Sequence, residues 1–254
     1  MPSLMCHKPE ASAAAPAPAA EGIWLSALFP AYNEAACIVQ VIEEADAALR
    51  NAGFSYEIVV LDDASTDRTW QLLQQLSERM PALRLLQHEV NRGIRVSLDD
   101  LFSSARGTWL FHNGSDGQWK TAEVLRMMPL ANDPHTIVVG RRRHKHYGWW
   151  RSFVSTMYNW LPLFLFGVRV YDAGGIKLFP KQLLKEVSPR SRSVFREGER
   201  LIRAARAGYR IAVIDVDSAP RLTGKASGAR FALVVGAVRD LVSCWWRMVV
   251  CRER

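Results

Sequence analysis

Cysteines and long hydrophobic runs are both scarce in this sequence. Its 254 residues include four cysteines, none of them in a CxxC pair. This usage argues against a structural zinc site or a disulfide framework and favours a reducing, cytoplasmic setting. An apolar stretch near the C-terminus, residues 231–250, is interrupted by Arg239, Asp240 and Arg247. Because charges near the centre of a spanning helix oppose its insertion, we expect no membrane span there.

The remaining composition sets the class of protein and of partner. Residues 1–21 are rich in alanine and proline and lack the continuous apolar core of a secretory signal, so we expect a disordered tail. The rest is long enough for one large α/β domain with a proper core. Lysine and arginine outnumber aspartate and glutamate by 33 to 25, a net charge of +8. Such an excess favours anionic partners: phosphate-bearing small molecules, nucleic acid or a lipid surface.

The sequence YEIVVLDDASTDRTW, residues 56–70, is the centre of the predicted fold. Its short apolar run predicts a strand buried on both faces of a parallel sheet. Asp62 and Asp63 follow at the carboxyl end of the strand, and the Ser-Thr-Asp run after them suits the start of a helix. Ligands bind outside the carboxyl ends of strands in open α/β sheets. The acidic pair is therefore either a ligand contact or a polar loop that caps the helix.

Two other strands end in comparable turns. The first strand stops at Pro30 in the sequence PAYNEA, before a helix predicted to reach about Arg50, and the fourth, residues 108–112, runs into NGSDGQW. Alternating strands and helices predict parallel strands joined by right-handed crossovers. The acidic turns are then expected at one edge of one sheet, where the N-terminal amides of helices also favour an anion.

In order and spacing, PAYNEA, LDDASTDRT and SDGQ resemble the motifs of the inverting family 2 glycosyltransferases. The likeness extends from about Ile23 to Lys225 and is greatest to the branch that makes polyprenyl-phosphate sugars, such as dolichol-phosphate mannosyltransferases and undecaprenyl-phosphate sugar transferases. It implies an α/β fold of the GT-A nucleotide-diphosphosugar transferase type, with a mostly parallel central sheet flanked by helices, over residues 22–228. Residues 229–254 are predicted to form an amphipathic C-terminal helix on the membrane surface.

The resemblance implies a donor pocket. Pro30, Tyr32, Glu34 and Asp63 would line the base and ribose pocket of a UDP- or GDP-sugar. Asp63 would accept a hydrogen bond from a ring N–H of uracil or guanine.

The resemblance also implies a metal ligand set. Asp116 would coordinate Mg²⁺ or Mn²⁺ bound to the diphosphate, with Gln118 beside it, and the ion would offset charge on the leaving nucleotide diphosphate. The family usually reads DxDGQ at this place, whereas this chain has Gly114 instead of the first aspartate. Asn113 and Ser115 are candidate neutral oxygen ligands in its stead.

Basic residues complete the implied site. Arg141 opens the run RRRHKH after a strand predicted over residues 136–140, and the resemblance gives it a phosphate-binding role. Arg221 and Lys225 lie in RLTGKAS, which resembles the loop that closes over diphosphate or acceptor phosphate, with Arg221 fitting the family spacing better. Asp116, Arg141 and Arg221 are thus the predicted catalytic residues.

The aromatic segment over residues 147–168 follows the basic run and is interrupted by Asn159 and Pro162. Tryptophan and tyrosine beside cationic side chains suit the headgroup level of a bilayer, so we predict an interfacial segment; a packed core helix is the alternative. With Trp245 and Trp246 in the C-terminal helix, it predicts a peripheral protein on the cytoplasmic face of an anionic membrane. Nucleic acid is not expected as a partner, because the basic run has membrane-type aromatic neighbours.

The implied reaction is transfer of a sugar from a UDP- or GDP-sugar to a polyprenyl phosphate, with inversion at the anomeric carbon. A phosphate acceptor is already ionised at neutral pH and needs no strong general base. Two alternatives stay open. A saccharide or lipid hydroxyl as acceptor would need a catalytic carboxylate such as Glu197 or Glu199, and a non-catalytic nucleotide-sugar-binding module would explain Gly114.

Overall fold

The computed structural model describes residues 22–143, 149–172, 174–219 and 231–253. The predicted N-terminal tail and both residues of the predicted phosphate loop, Arg221 and Lys225, lie outside these ranges.

The described chain alternates strands with helices, as its periodicity predicts. The strands are β1 Leu25–Ala31, β2 Tyr56–Asp62, β3 Leu83–Gln87, β4 Trp109–His112, β5 Thr136–Arg142, β6 Lys177–Pro180 and β7 Arg210–Val216. The helices are α1 Ile38–Arg50, α2 Thr69–Arg79, α3 Ile94–Ser104, α4 Glu123–Met127, α5 Trp149–Phe166, α6 Leu183–Glu186, α7 Arg196–Arg206 and α8 Phe231–Trp245. A 3₁₀ turn, Met128–Leu130, follows α4, and a π-helical turn, Trp246–Val250, extends α8.

The strands form one sheet in the order β3-β2-β1-β4-β6-β5-β7. β1 pairs in parallel with both β2 and β4, β2 with β3, and β5 with β7. β6 is antiparallel to both of its neighbours, β4 and β5. The prediction of a mostly parallel central sheet flanked by helices is confirmed. β1 occupies the middle of the parallel part, so the turns after β1, β2 and β4 lie side by side.

Each face of the sheet is covered by its own hydrophobic core. Alternate residues of β2 belong to different cores. Ile58 and Val60 pack with α1 and α2, whereas Val59 and Leu61 pack with α3 and α7. This is the period-2 alternation of a strand buried on both faces. The second core also includes the inner face of α8, with Ala237, Leu241 and Cys244, and Met248 of the π-helical turn.

One strand is longer than the sequence predicts, and the aromatic segment is helical. β5 extends to Arg142, two residues further than predicted, because residues 141 and 142 pair in parallel with Asp215 and Val216 of β7. The aromatic segment forms α5, an 18-residue helix with Pro162 inside it. In the described ranges, none of the helices combines the length and apolar character needed to cross a bilayer.

Candidate active site

The last two residues of β1 bring two of the predicted turns together. The backbone carbonyl of Ala31 accepts a hydrogen bond from the Asp63 amide at 2.9 Å. The Pro30 carbonyl accepts one from the Ser115 hydroxyl at 2.7 Å. The turn after β2 and the turn after β4 therefore both attach to the end of β1, which confirms that the acidic turns share one edge of the sheet.

Asn33 joins the PAYNEA turn to the turn after β2. Its side-chain carbonyl accepts hydrogen bonds from the backbone amides of Thr66 and Asp67, at 2.8 and 3.3 Å. Its backbone amide donates to the Ser65 hydroxyl at 2.9 Å. Its φ of 57° lies in the left-handed region, which asparagine enters more readily than most residues. An asparagine at a strand-to-helix turn is a candidate cap for the helix that follows, but α1 begins only at Ile38, with Cys37 at its N-cap, and Asn33 instead holds the turn after β2.

The other predicted residues of the first turn are Tyr32 and Glu34. Tyr32 is 46% exposed, so its ring is available to a ligand. The Glu34 amide donates to the Thr69 hydroxyl at 2.9 Å. The buried thiol of Cys37 lies 3.4 Å from the Glu34 carboxylate and 3.4 Å from the Ser115 carbonyl. Cys37 thus connects Glu34 to the loop that carries Asp116.

The carboxylate of Asp63 is held by the segment that follows β3. One oxygen faces His88 Nδ1 at 2.6 Å and accepts the Arg92 amide at 2.8 Å, and the other accepts the Gly93 amide at 2.8 Å. Burial acts to raise the pKa of Asp63, but these three hydrogen bonds outweigh it and hold the pKa below its ordinary value. Asp63 is therefore an oriented, ionised acceptor at neutral pH.

Asp116 is half-buried in the loop after β4, where its Oδ1 accepts the Gln118 amide at 3.2 Å. The two candidate neutral ligands are engaged elsewhere. The Asn113 carbonyl oxygen accepts the Gly114 amide at 2.8 Å, and the Ser115 hydroxyl is the donor to Pro30. Asp116 is thus the carboxylate that this loop offers to a cation.

A divalent cation bound at this loop would need further oxygen ligands from a bound substrate and water. In the part of the chain that the structure describes, no group of three or more His, Cys, Asp or Glu side chains is arranged to hold a metal. Mg²⁺ is commonly bound by one or two carboxylates together with substrate phosphates and water. The single carboxylate of Asp116 meets that requirement when a diphosphate is bound beside it.

Neighbouring arginines on β5 have different partners. The Arg141 guanidinium makes a two-pronged ion pair with Asp215 on β7, at 2.7 and 3.0 Å. Arg142 instead pairs with Asp172 at 2.9 Å and lies over the Trp119 ring, with its guanidinium carbon 4.9 Å from the ring centroid. Successive residues of a strand point to opposite faces. It is therefore Arg142, which sequence reasoning missed, that contacts the SDGQW loop.

The segment after β7 returns to the same loop. The Ala219 amide donates to the Gln118 carbonyl at 2.9 Å. The described chain therefore reaches the Asp116 loop directly before the residues that include Arg221.

Both candidate general bases lie in buried ion pairs. Glu199 accepts the Ser191 and Arg190 amides at 2.7 and 3.1 Å and the Arg203 guanidinium at 2.7 Å. Glu197 accepts from Arg200 at 3.2 Å, and its other oxygen lies 3.8 Å from the buried Lys177 amine. Burial alone would raise the pKa of Glu197, but the positive charges of Arg200 and Lys177 lower it to about 2.

Known proteins are similar to part of this chain in sequence. The undecaprenyl-phosphate 4-deoxy-4-formamido-L-arabinose transferase of Pseudomonas paraeruginosa is 29% identical over 151 residues, which cover 59% of this chain and 44% of that protein. The dolichol-phosphate mannosyltransferase of Pyrococcus furiosus is 29% identical over 118 residues, 46% of this chain and 33% of that protein. The chain thus spans less than half the length of these curated relatives.

A solved structure extends the likeness to most of the described chain. The glucosyl-3-phosphoglycerate synthase of Mycobacterium tuberculosis, solved with Mn²⁺, uridine diphosphate and glucosyl-3-phosphoglycerate, superposes with a TM-score of 0.69 at 20% identity. The match covers 87% of this chain and 80% of that one, and it shows the predicted GT-A fold. The family model for glycosyl transferase family 2 matches residues 26–187. The turns gathered around the end of β1 lie within that match, and the chain belongs to glycosyl transferase family 2.

Proposed function

We propose that this chain transfers a sugar from a UDP- or GDP-sugar to a polyprenyl phosphate at a membrane surface, with inversion at the anomeric carbon. The relatives named for undecaprenyl phosphate and dolichol phosphate support this acceptor class. The observation that carries the proposal is that the carboxylates of Glu197 and Glu199 are both held in buried ion pairs.

The ion pairs of these carboxylates favour a phosphate acceptor over a hydroxyl acceptor. A hydroxyl acceptor must lose its proton to a base, and an efficient general base has a pKa near the working pH. Glu197, with a pKa of about 2, is a poor proton acceptor at neutral pH. An acceptor phosphate already carries its negative charge, so the buried ion pairs of Glu197 and Glu199 are compatible with a phosphate acceptor.

The donor nucleotide lies across the turns at the end of β1. Asp63 accepts the base N–H, exposed Tyr32 supports the base, and Pro30 and Glu34 contact the base or ribose. The donor diphosphate lies over the loop after β4, beside Asp116. There Asp116 and Gln118 would hold a divalent ion, Mg²⁺ or Mn²⁺, which when bound would supply charge stabilisation to the departing nucleotide diphosphate.

The chemical step is a single displacement. An oxygen of the acceptor phosphate attacks the anomeric carbon as the bond from that carbon to the β-phosphate oxygen breaks, so the configuration inverts. The electron pair leaves with the nucleoside diphosphate. Basic groups position the two phosphates: Arg221 and Lys225 by the family resemblance, and Arg142, rather than Arg141, by its contact with the loop after β4.

The acceptor lipid reaches the site from an anionic bilayer, on which the protein is a peripheral partner. Two helices carry exposed apolar side chains at helical spacing. They are Met157, Trp160 and Phe164 on α5, and Val235, Val238, Val242 and Trp246 along α8 and its π-helical turn. Both helices contact the same segment, since the Tyr158 hydroxyl donates to the Val194 carbonyl and Asp240 accepts the Arg192 and Ser193 amides.

Charge and aromatic placement favour a lipid as the occupant of this surface. Arg192, Arg239 and Arg252 are exposed on it or at its end. The Arg169 guanidinium lies 5.0 Å from the Trp160 ring centroid, an aromatic–cation pair suited to the headgroup level. We therefore infer that α5 and α8 together form the docking surface, with their apolar side chains at the boundary between headgroups and acyl chains.

The test is transfer of labelled sugar from a panel of UDP- and GDP-sugars into an organic-extractable product. The reaction contains purified protein, polyprenyl phosphate vesicles and Mg²⁺ or Mn²⁺, with a chelator control. Label in the lipid phase that is released by mild acid is the expected result. Label in an acid-stable product would identify a hydroxyl acceptor, and nucleotide binding without any transfer would identify a binding module.

A further inference from the structure

His88 lies directly behind the carboxylate that we assign to the nucleotide base. It follows β3, its backbone amide donates to the Asp62 carbonyl at 2.9 Å, and its side chain is only 9% exposed. The ring is placed between two carboxylates. Nδ1 lies 2.6 Å from Oδ1 of Asp63, and Nε2 lies 3.0 Å from Oδ2 of Asp100 on α3.

Charged groups face the ring from two elements. Asp63 faces it from the end of β2 and Asp100 from α3. The Arg92 guanidinium lies on the same Asp100 oxygen, at 3.1 Å, and Asp62 meets His88 through the backbone. Each ring nitrogen thus has a carboxylate oxygen within hydrogen-bond distance, and the ring bridges the end of β2 to α3.

The Asp63 carboxylate has room for one further donor. An ionised carboxylate offers about four acceptor positions. His88 and the Arg92 amide fill two on Oδ1, and the Gly93 amide fills one on Oδ2. The remaining position is on Oδ2, and its direction is fixed by the three bonds already made. Hydrogen bonds that lower the pKa of Asp63 also keep it ionised for a base N–H.

We propose that His88 is a positioning residue for the donor base: its ring ties Asp63 to Asp100 and fixes the direction of the acceptor position that Asp63 offers. The inference rests on the proposed donor pocket and deepens it. Without the ring, Asp63 keeps the Arg92 and Gly93 amides but loses its third hydrogen bond, so the carboxylate can turn away from the base.

Three proteins test this: the wild type, His88→Asn and His88→Leu. The amide nitrogen of asparagine can occupy the place of Nδ1, so His88→Asn keeps a donor to Asp63, whereas His88→Leu keeps none. UDP and GDP dissociation constants are measured by calorimetry at neutral pH. Thermal unfolding checks that both variants are folded.

We expect His88→Leu to weaken nucleotide binding about tenfold, the effect of losing one charge-assisted hydrogen bond, and His88→Asn to keep most of the wild-type affinity. Equal dissociation constants for His88→Leu and a wild type that binds nucleotide, or an equal loss in the two folded variants, overturns this inference and leaves the proposed function intact. Absence of nucleotide binding by the wild type overturns both.

Discussion

A Cβ atom built on Gly114 would lie 3.1 Å from Oδ1 of Asp116. A side chain at position 114 would therefore start beside the one carboxylate that the loop after β4 offers to a cation. The backbone there is not in the left-handed region, so an ordinary residue fits after a shift of a few tenths of an ångström by the Asp116 side chain. The chain thus retains the geometry for a second carboxylate while lacking the residue.

Gly114→Asp is expected to strengthen binding of Mn²⁺ in the presence of UDP or GDP. A second carboxylate adds charge and a hard oxygen ligand, and we expect an affinity gain of about tenfold. Electron paramagnetic resonance of free Mn²⁺ measures it. Gly114→Asn is the matched control, since it adds the same volume without the charge. Equal affinities for the two variants would show that the ion does not contact position 114.

Asp116→Asn is expected to lower sugar transfer by roughly 100-fold or more while leaving the fold intact. Removal of the carboxylate takes away the protein's anchor for the cation that stabilises the leaving diphosphate, a contribution of several kcal/mol to the barrier. The rate is measured by the lipid-extraction assay at saturating Mg²⁺, and thermal unfolding checks the fold. Asp133→Asn, at an exposed turn before β5, serves as the control. Unchanged turnover in Asp116→Asn would remove its catalytic role.

Much of the scaffold was predictable because it depends on local patterns. The helix after the PAYNEA turn, which the sequence predicts to reach about Arg50, ends at that residue. The placement of Asp62 and Asp116 at one edge followed from strand–helix alternation, which fixes parallel strands and hence the edge at which each strand ends. Such features need only the sequence near them.

Pairings between distant elements were not predictable, because they depend on strand order and register. Arg141 and Arg142 are equivalent in sequence, yet the register of β5 on β7 turns one to Asp215 and the other to Trp119. Likewise the antiparallel insertion of β6 places Lys177 opposite His112 of β4, and so within reach of Glu197. No local pattern around these residues specifies those partners.

Glu197→Gln is expected to destabilise the protein at neutral pH but not in strong acid. The pKa of Glu197 falls from 4.5 to about 2 on folding, so its stabilising effect is fully present above about pH 4.5 and is lost as the pH falls towards 2. The shift corresponds to on the order of 3 kcal/mol. Urea unfolding between pH 2 and 7 should show the two curves converging in acid.

The matched control for that comparison is Glu78→Gln, an exposed position on α2. It should leave the dependence of stability on pH unchanged. If Glu197→Gln is less stable than the wild type by the same amount at pH 2.5 and pH 7, the carboxylate contributes through packing and not through its ion pairs.

Replacing Val242 and Trp246 together by serine is expected to release the protein from anionic vesicles. Both side chains are exposed, 56% each, on the outer face of α8, away from its buried residues, so their loss should leave folding largely unaffected. Burial of a tryptophan and a valine at the lipid boundary accounts for roughly 2–3 kcal/mol, and we expect vesicle partitioning to fall at least tenfold. Co-sedimentation with phosphatidylglycerol–phosphatidylcholine vesicles measures it. Leu125→Ser on α4, which removes an exposed apolar side chain outside this surface, is the control.

Because Arg192, Arg239 and Arg252 supply the electrostatic part of the attraction to the vesicles, wild-type binding should also weaken as salt is raised or phosphatidylglycerol is omitted. Equal partitioning of the double variant and the wild type, or a dimer of the wild type that the double variant no longer forms, would assign this surface to another partner.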